Sequence, residues 1–268
     1  MDRIWLKHYP KGVPAEIDVG EYASIRDVFD ESVARFSSRP AFTCMGKTIT
    51  FGELDTLSSA FGAWLQGIGG GKGTRVALMM PNILQYPVAL FGTLRAGATV
   101  VNVNPLYTAR ELEHQLVDSG AEVIVVLENF ASTLAEVVRK TRVKHVIVTS
   151  MGELMGLKGV LVNFVVRRMK KMVKPWSIPD AIHLGDALAE GRRRTLQRVP
   201  IAHDDIAFLQ YTGGTTGVAK GAMLLHRNII ANLLQARAWV SPVLDPNARE
   251  IIVTPLPLYH IFSLTANC

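Results

Sequence analysis

Between residues 75 and 150, short apolar runs alternate with segments long enough for one helix each. This rhythm restricts the fold more than any other feature of the chain. "RVALMM" (75–80), "ATVVNVN" (98–104), "EVIVVL" (122–127) and "KHVIVTS" (144–150) are short and apolar in their centres, the last three rich in β-branched residues, so each reads as a buried strand. Strands of that kind joined by helices require a largely parallel sheet covered by helices. The expected class is therefore α/β.

Local signals mark where the helices begin and end. Thr50 with Glu53, and Thr108 with Glu111, have the spacing of capping boxes, and Gly120 follows the second helix as a terminator. Further helices are expected over about 24–36 and over "FASTLAEVVRK" (130–140). "NILQYPVALFGTLRAG" (82–97) is helical in pattern, but Pro87 should kink or restart it. "AFTCMGKTITF" (41–51) reads as a hairpin turning at Gly46-Lys47, and residues 1–20 as an irregular arm.

The segment 151–175 breaks the rhythm. It is rich in Leu, Val and Met, then basic at Arg167, Arg168, Lys170, Lys171 and Lys174. As a helix it places Leu154, Leu157, Leu161, Val165 and Met169 on one stripe. Two readings stay open: a helix that lies on an anionic membrane surface, with Arg167, Arg168, Lys170 and Lys171 toward the lipid, or an insertion whose stripe packs on its own domain. "WSIPD" and "EGRRRTLQRVP" read as surface linkers, and a boundary falls near 195–203. This gives a first α/β subdomain over 1–200 and the start of a second over 201–268. The second holds a strand at 205–211, a glycine-rich loop, a strand "KGAMLLH" (220–226), a helix (227–240) and a strand with a proline-punctuated loop in 250–268.

Charge and cysteines narrow the function. A net charge of +6 suits anionic ligands or an anionic membrane surface, and no nucleic-acid-binding signature accompanies it, so nucleic acid is not an expected partner. Two distant cysteines, Cys44 and Cys268, argue against a disulfide framework and for a reducing cytoplasm. No His/Cys cluster has zinc spacing, no signal peptide is evident at the start, and no apolar run is long enough to span a bilayer.

The chemistry concentrates in "YTGGTTGVAKGA" (211–222). Gly213, Gly214 and Gly217 let the backbone approach an anion, and successive N–H groups can form a nest for oxyanions. Thr212, Thr215 and Thr216 add hydroxyl donors and Lys220 a mobile positive charge. The ligand this implies is a polyphosphate. It is not a Walker A loop, because no glycine precedes Lys220 and the loop joins two strands. "GGGKGTR" (69–75) also fails that pattern, since Gly73 stands where Ser or Thr is required. No strand–GxGxxG–helix unit supports a dinucleotide site.

"YTGGTTGVAKG" resembles the phosphate-loop motif of the adenylate-forming (AMP-binding) superfamily, with Gly213 in place of a usual Ser and Ala219 in place of a usual Pro. "TPLPLYHIFSL" (254–264) resembles a second segment of the same superfamily. Within it, "RVALMMPNILQYPVALFGTLRAGATVVNVNPLYTARELEHQLVDSGA", "VVNFVV" and "AFLQYTGGTTGVAKGAMLLHRN" are similar to the bacterial long-chain fatty-acid–CoA ligases. The likeness runs over nearly the whole chain but covers about the first half of such an enzyme.

The resemblance implies the N-terminal domain of the adenylate-forming fold, in two subdomains of mostly parallel, helix-covered sheets. It implies that ATP is bound by Tyr211, Thr212, Gly213, Gly214, Thr215, Thr216, Gly217, Val218, Ala219, Lys220, Gly221 and Ala222, with Thr216 near Mg2+. Lys220 and His260 are the implied catalytic residues, and Tyr259 and His260 the implied wall of the acyl pocket. The implied reaction adenylates a fatty acid and transfers the acyl group to coenzyme A. The protein would work in the cytoplasm or on the inner face of the cell membrane, as a homodimer at full length. The residues alone leave two alternatives open: a fatty-acyl-AMP ligase that serves a carrier protein, or a non-catalytic nucleotide-binding domain. The chain by itself is expected to be inactive.

Overall fold

A computed structural model describes residues 2–212, 219–245, 248 and 250–268. Helix α1 (Ile25–Phe36) leads into a two-stranded hairpin, β1 (Pro40–Cys44) and β2 (Lys47–Thr50), and then α2 (Phe51–Gly67). The hairpin turns at Met45 and Gly46, one residue earlier than expected. Both have positive φ, which a two-residue turn of matching twist demands.

The expected alternation follows: β3 (Arg75–Met79), α3 (Gln85–Arg95), β4 (Thr99–Asn102), α4 (Ala109–Ser119), β5 (Val123–Leu127), α5 (Ala131–Val137) and β6 (His145–Thr149). Both capping boxes form, with Thr50 accepting from the Glu53 N–H and Thr108 from the Glu111 N–H. Gly120 ends α4 in the left-handed region. Pro87 restarts the helix: α3 begins at Gln85, so the ring falls in the first turn, where a missing N–H costs nothing.

After α6 (Leu157–Phe164) come β7 (Ile182–His183), α7 (Leu184–Gly191), β8 (Ile206–Thr212), β9 (Lys220–Leu225), α8 (His226–Val240) and α9 (Ile261–Asn267). Helix α7 was hidden in the sequence between two linker-like stretches. It buries Leu184, Ala187 and Leu188.

Among the described residues, seven strands form one sheet in the order β7-β6-β5-β3-β4-β8-β9, parallel except for the β8–β9 pair. Side chains alternate across it. Val76, Leu78, Val100, Val123, Val125 and Ile147 face a core shared with α1, α2, α3, α7 and α8. Ala77, Met79, Val101, Ile124, Val126 and Val148 face α4 and α5. A central parallel sheet buried on both sides explains why its strands read as largely apolar runs. Trp64, Phe61 and Tyr86 are fully buried on the first face, each side chain contributing about 1.5–3 kcal/mol.

Strand β8 pairs in parallel with β4, so the sheet continues past residue 200. One expectation changes here: residues 250–254 form no strand among the described residues. Ile251, Ile252 and Val253 are exposed, and a strand without a hydrogen-bonded neighbour is not a stable element.

Candidate functional site

The strand order fixes where a ligand can sit. From β3 the chain steps to β4, then crosses back over β3 to β5 and on to β6, so connections diverge between the adjacent strands β3 and β5. In open α/β sheets that reversal opens a crevice at the carboxyl ends of the strands. Strand β8 is parallel to β4, so its carboxyl end, Thr212, emerges at the same edge.

The hairpin of β8 and β9 is in register there, with Tyr211 opposite Gly221 and Thr212 opposite Lys220. Thr212 and Lys220 therefore close the mouth of the glycine-rich loop. Gly213, Gly214, Thr215, Thr216, Gly217 and Val218 lie outside the described residues. The Tyr211 hydroxyl donates to Asp118 Oδ2 at 2.5 Å, and burial together with that carboxylate raises its pKa. Gly221 makes room for this ring: a Cβ there would stand 2.8 Å from Tyr211 Cζ. The Ala219 carbonyl lies 3.2 Å from His114 Nε2. Thr212, Lys220 and Ala222 are exposed, and Lys220 has no ion-pair partner among the described residues.

The segment 254–260 is bound to this edge by polar side chains. Asn82, just beyond β3, donates through Nδ2 to the carbonyls of Thr254 (3.1 Å) and Leu256 (2.8 Å). Its Oδ1 accepts from the Leu258 N–H at 2.7 Å. The buried Tyr86 hydroxyl lies 2.7 Å from Asn102 Oδ1 and 3.0 Å from the Leu258 carbonyl, and burial raises its pKa strongly. Asn102 Nδ2 donates to Gln210 Oε1 (3.0 Å), and Gln210 Nε2 to the Tyr259 carbonyl (2.9 Å). Tyr259 is half-buried and His260 exposed. His260 caps α9, its Nδ1 accepting from the Phe262 N–H at 3.4 Å, which in the neutral ring leaves the proton on Nε2.

The two sequence motifs, more than 30 residues apart, thus meet on one edge through the Gln210–Tyr259 bond. Arg167, Arg168, Lys170 and Lys171 are not part of this constellation. They follow α6, above the ends of β5 and β6. Asn82, Tyr86, Asn102 and Gln210 were not singled out in the sequence. Their signal was present in "VVNVN" and "AFLQY", since an amide inside a buried strand must find a partner.

Among the described residues, no group of three His, Cys, Asp or Glu could hold a metal ion, and no helix is long and apolar enough to cross a membrane.

The AMP-binding enzyme family matches residues 29–268. The long-chain-fatty-acid–CoA ligase of Escherichia coli O157:H7 is 58% identical over 270 aligned residues, which cover 100% of this chain and 48% of the relative. The Bacillus subtilis (strain 168) enzyme of the same name is 34% identical, covering 98% of this chain and 46% of the relative. Among solved structures, a long-chain-fatty-acid-CoA ligase (FadD1) from Archaeoglobus fulgidus superposes with a TM-score of 0.73 at 25% identity, over 96% of this chain and 46% of its own. Apo MbtA of Mycobacterium smegmatis shares the fold, with a TM-score of 0.72 over 97% of this chain and 45% of its own. The chain spans about half the length of these relatives. With a family match over most of its length and both motifs on one sheet edge, the chain belongs to the AMP-binding enzyme family.

Proposed function

We propose that this chain forms the phosphate-binding part of an AMP-forming long-chain fatty-acid–CoA ligase. One observation carries the reading: the loop closed by Thr212 and Lys220 and the segment bearing His260 share the carboxyl edge of β3, β4 and β8. The high identity to long-chain-fatty-acid–CoA ligases supports the substrate class.

In this reading the backbone N–H groups and hydroxyls of 212–217 hold the β- and γ-phosphates of ATP, and Lys220 adds a positive charge at the loop's mouth. Tyr259 and His260 border the acyl group, and the Asn82–Tyr86–Asn102–Gln210 chain of hydrogen bonds keeps them in place. A fatty carboxylate oxygen attacks the α-phosphorus, forming the acyl-adenylate while the bond to pyrophosphate breaks. The thiolate of coenzyme A then attacks the acyl carbon and AMP leaves. Much of the first step is positioning and charge stabilisation. Mg2+ would enter on the nucleotide, offsetting phosphate charge, with the Thr216 hydroxyl as the protein's contribution. Such an ion is commonly bound through substrate phosphates and water, with few protein ligands.

ATP–pyrophosphate exchange tests this on the intact protein. Exchange should depend on a long-chain fatty acid, and Lys220→Ala should lower it roughly 10- to 100-fold, the loss expected of one charge-assisted hydrogen bond. A loss below about twofold removes Lys220 from the mechanism.

A further inference from the structure

Helix α6 is turned inside out. Its inward side carries small and polar groups. Gly159 packs backbone to backbone on Gly152, where a Cβ would fall 1.8 Å from the Gly152 carbonyl oxygen. Asn163 accepts from the Gly152 N–H (2.8 Å) and donates to Ser150 Oγ (2.9 Å). Past the helix a π-helical turn, Val165–Met169, brings Arg167 onto the buried Glu128, with Nε 3.0 Å from both carboxylate oxygens. The outward side carries Leu157, Val160, Leu161 and Phe164, whose exposure runs from 56% at Phe164 to 93% at Leu157. Met169 and Met172 continue it, also exposed. The stripe expected from the sequence therefore exists in modified form. Leu157 and Leu161 belong to it, Leu154 and Val165 are half-buried, and the π-turn shifts the phase after Phe164.

Charge follows the same face. Residues 154–179 contain six basic side chains, Lys158, Arg167, Arg168, Lys170, Lys171 and Lys174, and no acidic one. The chain has 29 basic and 23 acidic residues, so outside this segment it has 23 of each and is neutral. The whole net charge of +6 thus sits beside the exposed apolar stripe.

We propose that 156–174 seats the protein on a bilayer bearing anionic phospholipid. Leu157, Leu161 and Phe164 enter the boundary between headgroups and acyl chains, and Arg168, Lys170, Lys171 and Lys174 meet the headgroups. Arg167, expected from the sequence to face lipid, instead fastens the helix through Glu128. Lipid fits better than a protein partner because lysine is depleted at protein interfaces, and four lysines, Lys158, Lys170, Lys171 and Lys174, border this stripe. The position is apt: α6 stands at the ends of β5 and β6, through Glu128 and Ser150, on the same carboxyl edge as the candidate site. From β6 to β4 is three strand spacings, roughly 14 Å. The proposal stands independently of the ligase reading.

Vesicle flotation of the intact protein tests it, with phosphatidylglycerol/phosphatidylcholine vesicles against pure phosphatidylcholine. The protein should float with the anionic vesicles at low salt and bind at least about tenfold more weakly to the neutral ones or at high salt. Arg168→Glu/Lys170→Glu/Lys171→Glu/Lys174→Glu should weaken anionic binding by at least about tenfold. Leu161→Ser/Phe164→Ser should weaken it similarly, with an unchanged circular-dichroism melt because both side chains are already exposed. The proposal is overturned if the wild type fails to bind anionic vesicles, or if both variants bind like the wild type. It is also overturned if the Leu161/Phe164 variant turns an oligomer into a monomer in size-exclusion chromatography while vesicle binding persists.

Discussion

Tyr86 holds one proton between two buried acceptors, Asn102 Oδ1 and the Leu258 carbonyl, and so couples β4 to the segment carrying His260. Tyr86→Phe keeps the ring's packing but leaves both acceptors without that donor. The expected cost is about 1–3 kcal/mol, read as a lower urea midpoint at unchanged slope. An unchanged midpoint would mean that the hydroxyl does not hold the segment. At this scale the candidate site was legible in the sequence in part. Tyr211, Thr212 and Lys220 were legible because a glycine–threonine loop beside one lysine is an unusual composition. Asn82, Tyr86, Asn102 and Gln210 were not, because their partners lie 16 to 176 residues away and only the assembled sheet brings them together.

Elements with local signals were placed well: the capping boxes of α2 and α4 and the restart of α3 at Pro87 need only a few neighbouring residues. Helix α7 and the missing strand at 250–254 were misjudged because tertiary partners decide them. One contact between elements sets a pH dependence. His226, the first residue of α8, is buried, and its Nδ1 accepts from the Ile25 N–H at the start of α1 (3.2 Å). Burial lowers its pKa to about 4, with Arg26 and His203 also lowering it and Asp205 and Asp27 opposing. The unfolded chain, with an ordinary histidine near 6.5, binds more protons between these values. This contribution to stability is therefore full above pH 6.5 and is lost as pH falls toward 4, a loss on the order of 3 kcal/mol. Chemical unfolding across that window should show the slope, and His226→Asn, which keeps an acceptor but cannot titrate, should flatten it. An equal slope in the variant would assign the dependence to other groups.

For the whole molecule, the sheet order has the larger consequence. The apolar runs implied a helix-covered parallel sheet, but not that β8 would join β4. That pairing delivers the glycine-rich loop to the same carboxyl edge as the point where connections diverge between β3 and β5, while 254–260 crosses that edge and α6 stands a few strands away. Phosphate binding, acyl positioning and lipid contact would then share one side of the protein. The most direct measurement is a crystal structure of the intact protein with a non-hydrolysable ATP analogue. The triphosphate oxygens should lie about 2.7–3.2 Å from backbone N–H groups of the loop between Thr212 and Lys220. A triphosphate bound away from an empty loop would contradict the account.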